Sequence, residues 1–386
     1  MLFLRLGMAA IWIAALVTAA AMSWAKARSP QDPASVLGIM PSYSDALDRS
    51  LRLDIDQQVA TGVFHDSDTA LRLGQVEPLA DWPFVQLALL KASRGETGEA
   101  ESLMLSAHRR NPRNLFAIGW LAQYDAEQGD GAGALGWLDR LIAVNPGLGE
   151  QVHAIALGYT REEGGLTGLA ELLEAGRPWA KNVVGELNKS SEDLPALLEL
   201  NRLARNQQDG YINRLMKEKG PEAAFIAWAS LLDGGDPAAI SWPFDSEFEG
   251  LDAPRPFNWT INRDLTEINA EDGLYTVYFG RGRPLFVRQV MMLRPGAYSL
   301  ATEFSGETRE AAGRLVWELT CLNGNVPLSR LTLDNPSGVT TTAIAEFEVP
   351  AEGCEAQQLA LKGVPGDFPA RVRVTTRSIR IEEVQP

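Results

Sequence analysis

The residues able to do chemistry are few, and most of them fall late in the chain. Asp245, Glu247 and Glu249 alternate, so on a strand they would share one face. Carboxylates so placed could serve glycoside hydrolysis, an acid on one side of the scissile bond and a base or nucleophile on the other. The same alternation also describes a solvated strand edge. The stretch from Tyr275 to Arg288 reads as a hairpin whose side chains suit a saccharide, namely Tyr275, Tyr278, Arg281, Arg283, Phe286 and Arg288. Aromatic faces stack on sugar rings, and an Arg fork pairs with the carboxylate or sulfate of an acidic polysaccharide. In a sandwich those aromatics would instead fill the core, and edge arginines would guard against edge-to-edge pairing. Trp259 and Trp317 are read as core rather than as a binding platform.

Other chemistries lack their parts. No Gly-x-Ser-x-Gly elbow and no phosphate loop ending in Gly-Lys-Ser or Gly-Lys-Thr occurs. Gly131-x-Gly133-x-x-Gly136 fits a dinucleotide fingerprint in letters. That fingerprint needs a strand entering the turn, and here a helical pattern precedes it. The 386 residues carry 50 acids against 35 bases, a net −15, which disfavours a nucleic-acid partner. Three histidines and two cysteines are too few for a structural zinc site. All three histidines (His65, His108 and His153) lie far ahead of the candidate carboxylates, which weakens His-based catalysis. The balance points to a protein that is not an enzyme, with a hydrolase or lyase using the 245–249 carboxylates as the alternative.

These residues must be positioned by elements, and the sequence lays those out in series. Arg5 precedes an apolar run over 6–25, long enough to span a bilayer and longer than the usual core of a cleaved signal. Small-x-small sites at Ser23-Trp24-Ala25 and Ala25-Lys26-Ala27 permit cleavage, so residues 1–27 are a signal anchor or a signal peptide. Residues 28–43 form a linker. From 44 to 235 the apolar positions follow a helical period. Asn111-Pro112 recurs as Asn145-Pro146, and Gly95-Glu96-Thr97-Gly98-Glu99-Ala100 recurs as Gly129-Asp130-Gly131-Ala132-Gly133-Ala134, at the same interval of 34. Each unit reads as helix, Gly-containing turn, helix and terminating Pro. From 241 to 386 the period changes to short Val-, Ile-, Thr- and aromatic-rich runs between turn clusters, the pattern of an antiparallel β-sandwich. Runs are expected at 274–279, 285–293, 298–304, 314–321, 340–349, 358–361 and 372–381.

The 34-residue unit resembles the tetratricopeptide repeat, with Ala88 and Ala122 at the first small position, Ala100 and Ala134 at the second, and Pro112 and Pro146 last. Phe84 and Ile118 replace its usual Trp, and Lys91 and Asp125 its usual Tyr. The resemblance implies an α-solenoid of helix pairs whose groove takes a protein partner. Residues 32–240 hold 30 acids against 18 bases, which favours a basic partner. In the second half, Phe248-Glu249, Trp259, Gln289-Val290, Pro295-Gly296, Tyr298 and Ile381-Glu382-Glu383-Val384 form a series similar to jelly-roll carbohydrate-binding modules of the galactose-binding-like type. That resemblance implies polysaccharide binding and a structural Ca²⁺ held by Glu249 with Glu382 or Glu383, with no other cofactor. The pairing of the two domains is similar to exported envelope proteins found beside polysaccharide-export systems. It implies a multidomain α plus all-β adaptor or scaffold in the periplasm-facing envelope, tethered through 6–25 or, if cleaved, periplasmic or secreted. A purely structural assembly factor is the third reading. In such an exported sandwich Cys321 and Cys354 would pair, the alternative being two buried thiols. The loop closed would stabilise by roughly 3–4 kcal/mol in the chain-entropy model.

Overall fold

The structure is a computed structural model that describes residues 17–232 and 240–384. The chain divides into two compact units, Met1–Ala175 and Gly176–Pro386.

The first unit is helical. Residues 6–16 of the expected apolar span lie outside the described residues. Residues 17–28 are helical, and Ala25 is buried with Val36 and Ala46. Among the described residues no helix is long and apolar enough to cross a membrane, so the expected membrane helix finds no support there. The helices that follow are α1 (Pro33–Ile39), α2 (Ser44–Thr61), α3 (Asp68–Val76), α4 (Trp82–Ser93), α5 (Thr97–Arg110), α6 (Leu115–Glu127), α7 (Gly131–Val144), α8 (Gly149–Tyr159) and α9 (Gly165–Glu174). Several starts are set by a side chain that satisfies an otherwise unpaired helical N–H. Ser67 accepts from Ala70 N, Asn114 from Ala117 N and Asp130 from Gly133 N. The two ends marked by Asn-Pro are also explained locally. Asn111 and Asn145 cap α5 and α7 at their C-termini, and the proline that follows cannot extend the helix. The small residues at 34-residue spacing, Ala88, Ala100, Ala122 and Ala134, are all buried.

Gly131 of the apparent dinucleotide fingerprint serves helix packing. A Cβ on Gly131 would fall 2.6 Å from Tyr159 O and 2.8 Å from Gly165 Cα, so only glycine permits this approach of α7 to α9. Its N–H donates to Glu163 O at 2.9 Å. Successive helix pairs are also stitched by polar groups. The buried Asp81 accepts hydrogen bonds from Asn111 Nδ2 (2.8 Å) and Asn114 Nδ2 (2.7 Å).

The second unit opens with four more helices, α10 (Pro178–Ser190), α11 (Leu194–Leu203), α12 (Gln208–Glu218) and α13 (Pro221–Leu231). It continues into an antiparallel β-sandwich of β1 (Thr260–Ile261), β2 (Thr266–Asn269), β3 (Gly273–Tyr278), β4 (Leu285–Met291), β5 (Gly296–Ser305), β6 (Arg314–Cys321), β7 (Pro327–Leu333), β8 (Thr341–Val349), β9 (Gln357–Val364) and β10 (Val372–Glu383). One sheet, A, has the order β1-β4-β9-β6-β7 and the other, B, the order β2-β3-β10-β5-β8. Alternation along the strands fills the space between them with Leu274, Phe286, Leu300, Phe304, Trp317, Leu361 and Val374. Each expected run is a strand, and three strands escaped the sequence pattern: β1, β2 and β7. Cys321, at the end of β6, is disulfide-bonded to Cys354 in the turn before β9.

The helix-to-strand change lies between Leu231 and Thr260, whereas the compact unit begins at Gly176. Four helices therefore belong with the sandwich, and α13 is seated on it through one aromatic cluster. Trp228 is fully buried, and its ring centre lies 5.1 Å from that of Phe244, 5.5 Å from Phe257 and 6.1 Å from Trp242. Its Nε1 donates to Pro254 O at 2.8 Å. The segment that wraps this ring is held to β4 by Gln289, whose buried amide both donates to Phe244 O and accepts from Phe244 N, each at 2.9 Å. Asp209 on α12 accepts from Arg255 N at 2.7 Å and pairs with the Arg255 side chain.

Replacing Trp228 by Ala should lower the unfolding free energy of this unit by about 3–5 kcal/mol, read by denaturant titration of intrinsic fluorescence and far-ultraviolet dichroism. The double substitution Cys321→Ala, Cys354→Ala should cost about 3–4 kcal/mol in the same measurement. A loss below about 1 kcal/mol in either case would contradict the packing or the cross-link described.

Candidate functional site

The carboxylates at 245–249 do not share a strand face, because the segment is a turn. Asp245 and Phe248 both adopt left-handed backbone conformations, each with φ 55°. Asp tolerates that region better than most residues, since its short side chain bonds locally. The Asp245 carboxylate accepts from three backbone donors: Glu249 N (2.8 Å), Gly250 N (3.0 Å) and Leu251 N (3.3 Å). Trp259 Nε1 donates to Asp245 O at 3.0 Å, and Phe248 is buried against the Trp259 ring. Glu247 instead accepts from Arg380 Nη2 at 2.9 Å, and Glu249 is exposed. The expected row of three carboxylates is corrected to one buried turn-former, one ion-paired group and one solvated group.

The expected calcium ligands come from two segments. Glu249 lies in the loop after this turn, while Glu382 and Glu383 end β10 opposite Ser299 and Tyr298. Among the described residues no three His, Cys, Asp or Glu side chains gather into a group able to hold a metal ion, so these three do not form one.

The stretch 275–288 is not a hairpin within one sheet. β3 belongs to sheet B and β4 to sheet A, and the chain crosses between them over Gly280–Pro284. Gly280 has φ 70°, and a Cβ there would fall 2.1 Å from Ala312 O. The six expected ligand residues are therefore dispersed. Tyr278 and Phe286 are core residues, 1% and 0% exposed, in edge-to-face contact at 5.8 Å. Tyr278 OH donates to Gly282 O at 3.0 Å, and burial pushes its phenol above the ordinary tyrosine range. Arg281 and Arg283 sit exposed in the crossover, and Arg288 is exposed on β4 of sheet A. Tyr275 alone faces outward from sheet B.

Around Tyr275 the register builds a site that the sequence pattern did not reveal. Glu267 on β2 lies opposite Tyr275 on β3, Tyr275 opposite Thr375 on β10, and Thr375 opposite Ser305 on β5. Directly opposed residues in a sheet have Cβ atoms only about 5 Å apart, so these four form a continuous row across four strands. The row lines a surface groove of 440 Å³ with Asn269, Asp272 and Arg377. Asn269 Nδ2 donates to Asp272 Oδ2 at 3.0 Å, fixing the β2–β3 turn, and the Arg377 guanidinium lies 3.8 Å from the Glu303 carboxylate. Tyr275 keeps 36% of its surface exposed. The arrangement offers one aromatic platform bordered by hydroxyl, amide, carboxylate and guanidinium groups. That set matches a polyhydroxylated ring, which presents C–H faces for stacking and hydroxyls around its rim. The one local signal for this region was Asp272-Gly273, a turn dipeptide between two short runs.

No family model matches the chain, and no curated protein matches it. Among solved structures it is similar to one described as "CBM4 structure and function", at 12% identity and a TM-score of 0.23, covering 29% of this chain and 72% of that one. It is similar to TmCBM61 in complex with beta-1,4-galactotriose, at 7% identity and a TM-score of 0.25, covering 33% and 88%. A third is the EclA C-terminal domain, described as a sugar-binding protein, at 12% identity and a TM-score of 0.21, covering 33% and 91%. Likeness of this degree assigns no ligand and no site residue.

Asp245→Ala leaves three backbone donors without their acceptor. It should destabilise the second unit by roughly 2–4 kcal/mol, whereas Glu247→Gln at its exposed pair should change stability by less than about 1 kcal/mol. Equal effects of the two substitutions in denaturant titrations would refute the separate roles given to them.

Proposed function

We propose that the protein is a non-catalytic, exported carbohydrate-binding protein that takes a saccharide on the outer face of sheet B, with Tyr275 as the stacking platform. One observation carries this reading: the row Glu267, Tyr275, Thr375, Ser305, which lines the 440 Å³ groove. A sugar ring stacked on Tyr275 would have carboxylate and hydroxyl groups on both sides within hydrogen-bonding reach. The groove is open on the outer face of a sheet, which suits a segment of a longer polymer better than an enclosed small molecule.

The non-catalytic part of the reading is supported by the state of the carboxylates. Asp245 is saturated by backbone donors and Glu247 is ion-paired. Glu267 and Asp272 in the groove are both exposed, without the apolar surroundings that a glycosidase builds around its general acid. Export is supported by the Cys321–Cys354 disulfide, which persists in oxidising compartments. The apolar run over 6–25 would supply the signal or the tether. The helical unit is read as the scaffold and partner-binding part of an envelope adaptor, on the strength of its 34-residue interval and paired helices.

Titration calorimetry of the whole chain against neutral, acidic and amino-sugar oligosaccharides should find micromolar-to-millimolar binding to at least one of them. Tyr275→Ala should weaken it by about tenfold, the loss of roughly 1.4 kcal/mol of stacking, with no change in dichroism. Tyr278→Phe, which removes only the hydrogen bond to Gly282 O, should leave the affinity unchanged. Absence of binding to every oligosaccharide, or binding indifferent to Tyr275→Ala, would overturn the reading.

A further inference from the structure

The helical unit has an apolar groove that the saccharide reading does not use. It lies between α3 and α4, has a volume of 570 Å³ and is walled by Ala70, Leu71, Gly74, Pro78, Phe84 and Leu87. Leu71 is 65% exposed and Leu87 44% exposed, so the groove is open along its rim rather than sealed. Leu87 also borders a second depression of 460 Å³, shared with Leu103 on α5. The two depressions share Leu87 of α4 as a lining residue. The buried polar group in the wall, Gln86, already donates to Gln58 Oε1 (3.0 Å) and His65 O (2.8 Å). The floor therefore favours apolar contact over hydrogen bonding.

Charged side chains border both depressions, and they are acidic in balance. Asp66 and Asp68 line the first, where Arg94 comes within 3.9 Å of Asp66. At the second, Lys91 is held by both Glu96 (2.5 Å) and Glu99 (2.8 Å), leaving one negative charge in excess. The nearby Arg110 guanidinium lies over the Phe84 ring, 3.7 Å from its centre. An open apolar trough with acidic borders is the complement of an amphipathic segment with basic ends.

We propose that this trough binds a short amphipathic peptide segment of a protein partner. Two or three apolar side chains at helical spacing would seat against Leu71, Phe84 and Leu87, and Lys or Arg at the ends would meet Asp68 and the Glu96–Glu99 pair. The site is independent of the sheet-face groove and does not rest on the saccharide reading.

The test uses the full chain and two fluorescein-labelled peptides of roughly 12 residues. Both carry Leu at positions i, i+3 and i+7. One is flanked by Lys and the other by Glu. Fluorescence anisotropy should show the Lys-flanked peptide binding at least about tenfold more tightly, with the gap narrowing as salt rises. Leu71→Ser with Leu87→Ser should weaken binding about tenfold at unchanged dichroism, because both side chains are already largely exposed. Asp68→Asn should narrow the difference between the peptides while leaving the Glu-flanked affinity unchanged or improved. Failure of both peptides to bind, equal binding of the two, or indifference to the leucine substitutions would overturn the proposal. So would self-association that Leu71→Ser abolishes while neither peptide binds, since the trough would then belong to a second copy of the chain.

Discussion

The seat of Trp228 is the contact on which the second unit depends. A large ring that is fully buried removes on the order of 200 Å² of apolar surface from water, and here the surrounding surface comes from the loop between helix and sheet. Phe244, Phe257 and Trp242 close on it, and Pro254 O accepts its indole N–H. The loop that supplies them is fixed to β4 by the two-way hydrogen bonding of Gln289 with Phe244. The loop thus joins the helix to the sheet, with Trp242 packed against the sandwich core as well. The loop continues into the Asp245 turn, and Ile379 N on β10 donates to Ser246 O at 2.9 Å. β10 in turn carries Thr375 and Arg377 of the sheet-face groove. Placement of the groove residues is coupled through covalent and hydrogen-bonded neighbours to the burial of a residue on α13.

Local periodicity made most elements legible, because helix and strand patterns are properties of short windows. The Asn-Pro interval located the ends of α5 and α7, and β3 to β6 and β8 to β10 were visible as apolar runs. β7 was not, because it begins at Pro327 and only Leu331 and Leu333 along it are buried. β1 and β2 are two and four residues long, too short for alternation to register. Grouping of elements was less legible than their existence. Nothing in the period of α10 to α13 distinguishes a helix that packs on other helices from one that packs on a sandwich. Three-dimensional contacts do, those of Trp228 with the loop aromatics and of Asp209 with Arg255.

The site was hidden for a related reason. Sequence alternation tells inside from outside but not which of two sheets a strand joins. Gly280-Arg281-Gly282-Arg283-Pro284 reads as a hairpin turn, yet it carries the chain from sheet B to sheet A, so neighbours in sequence face opposite sides of the sandwich. The groove instead draws Glu267, Tyr275, Ser305 and Thr375 from positions as far apart as residues 267 and 375. Asp245 illustrates the converse. Its alternation with Glu247 and Glu249 looked like a strand, but an Asp that can accept three backbone N–H groups stabilises a left-handed turn better than an extended edge.

The row through Tyr275 runs across the strands, in the direction of the ladder hydrogen bonds. A polymer lying along it would touch β2, β3, β10 and β5 at once, and a tug on that polymer would reach all four strands together. Of these, β10 pairs with β3 over Val372–Thr376 and with β5 over Thr375–Glu383, so both partners flank it where Thr375 lies in the row. Because that pull would act along the interstrand hydrogen bonds, the successive ladders β2–β3, β3–β10 and β10–β5 would carry it in series.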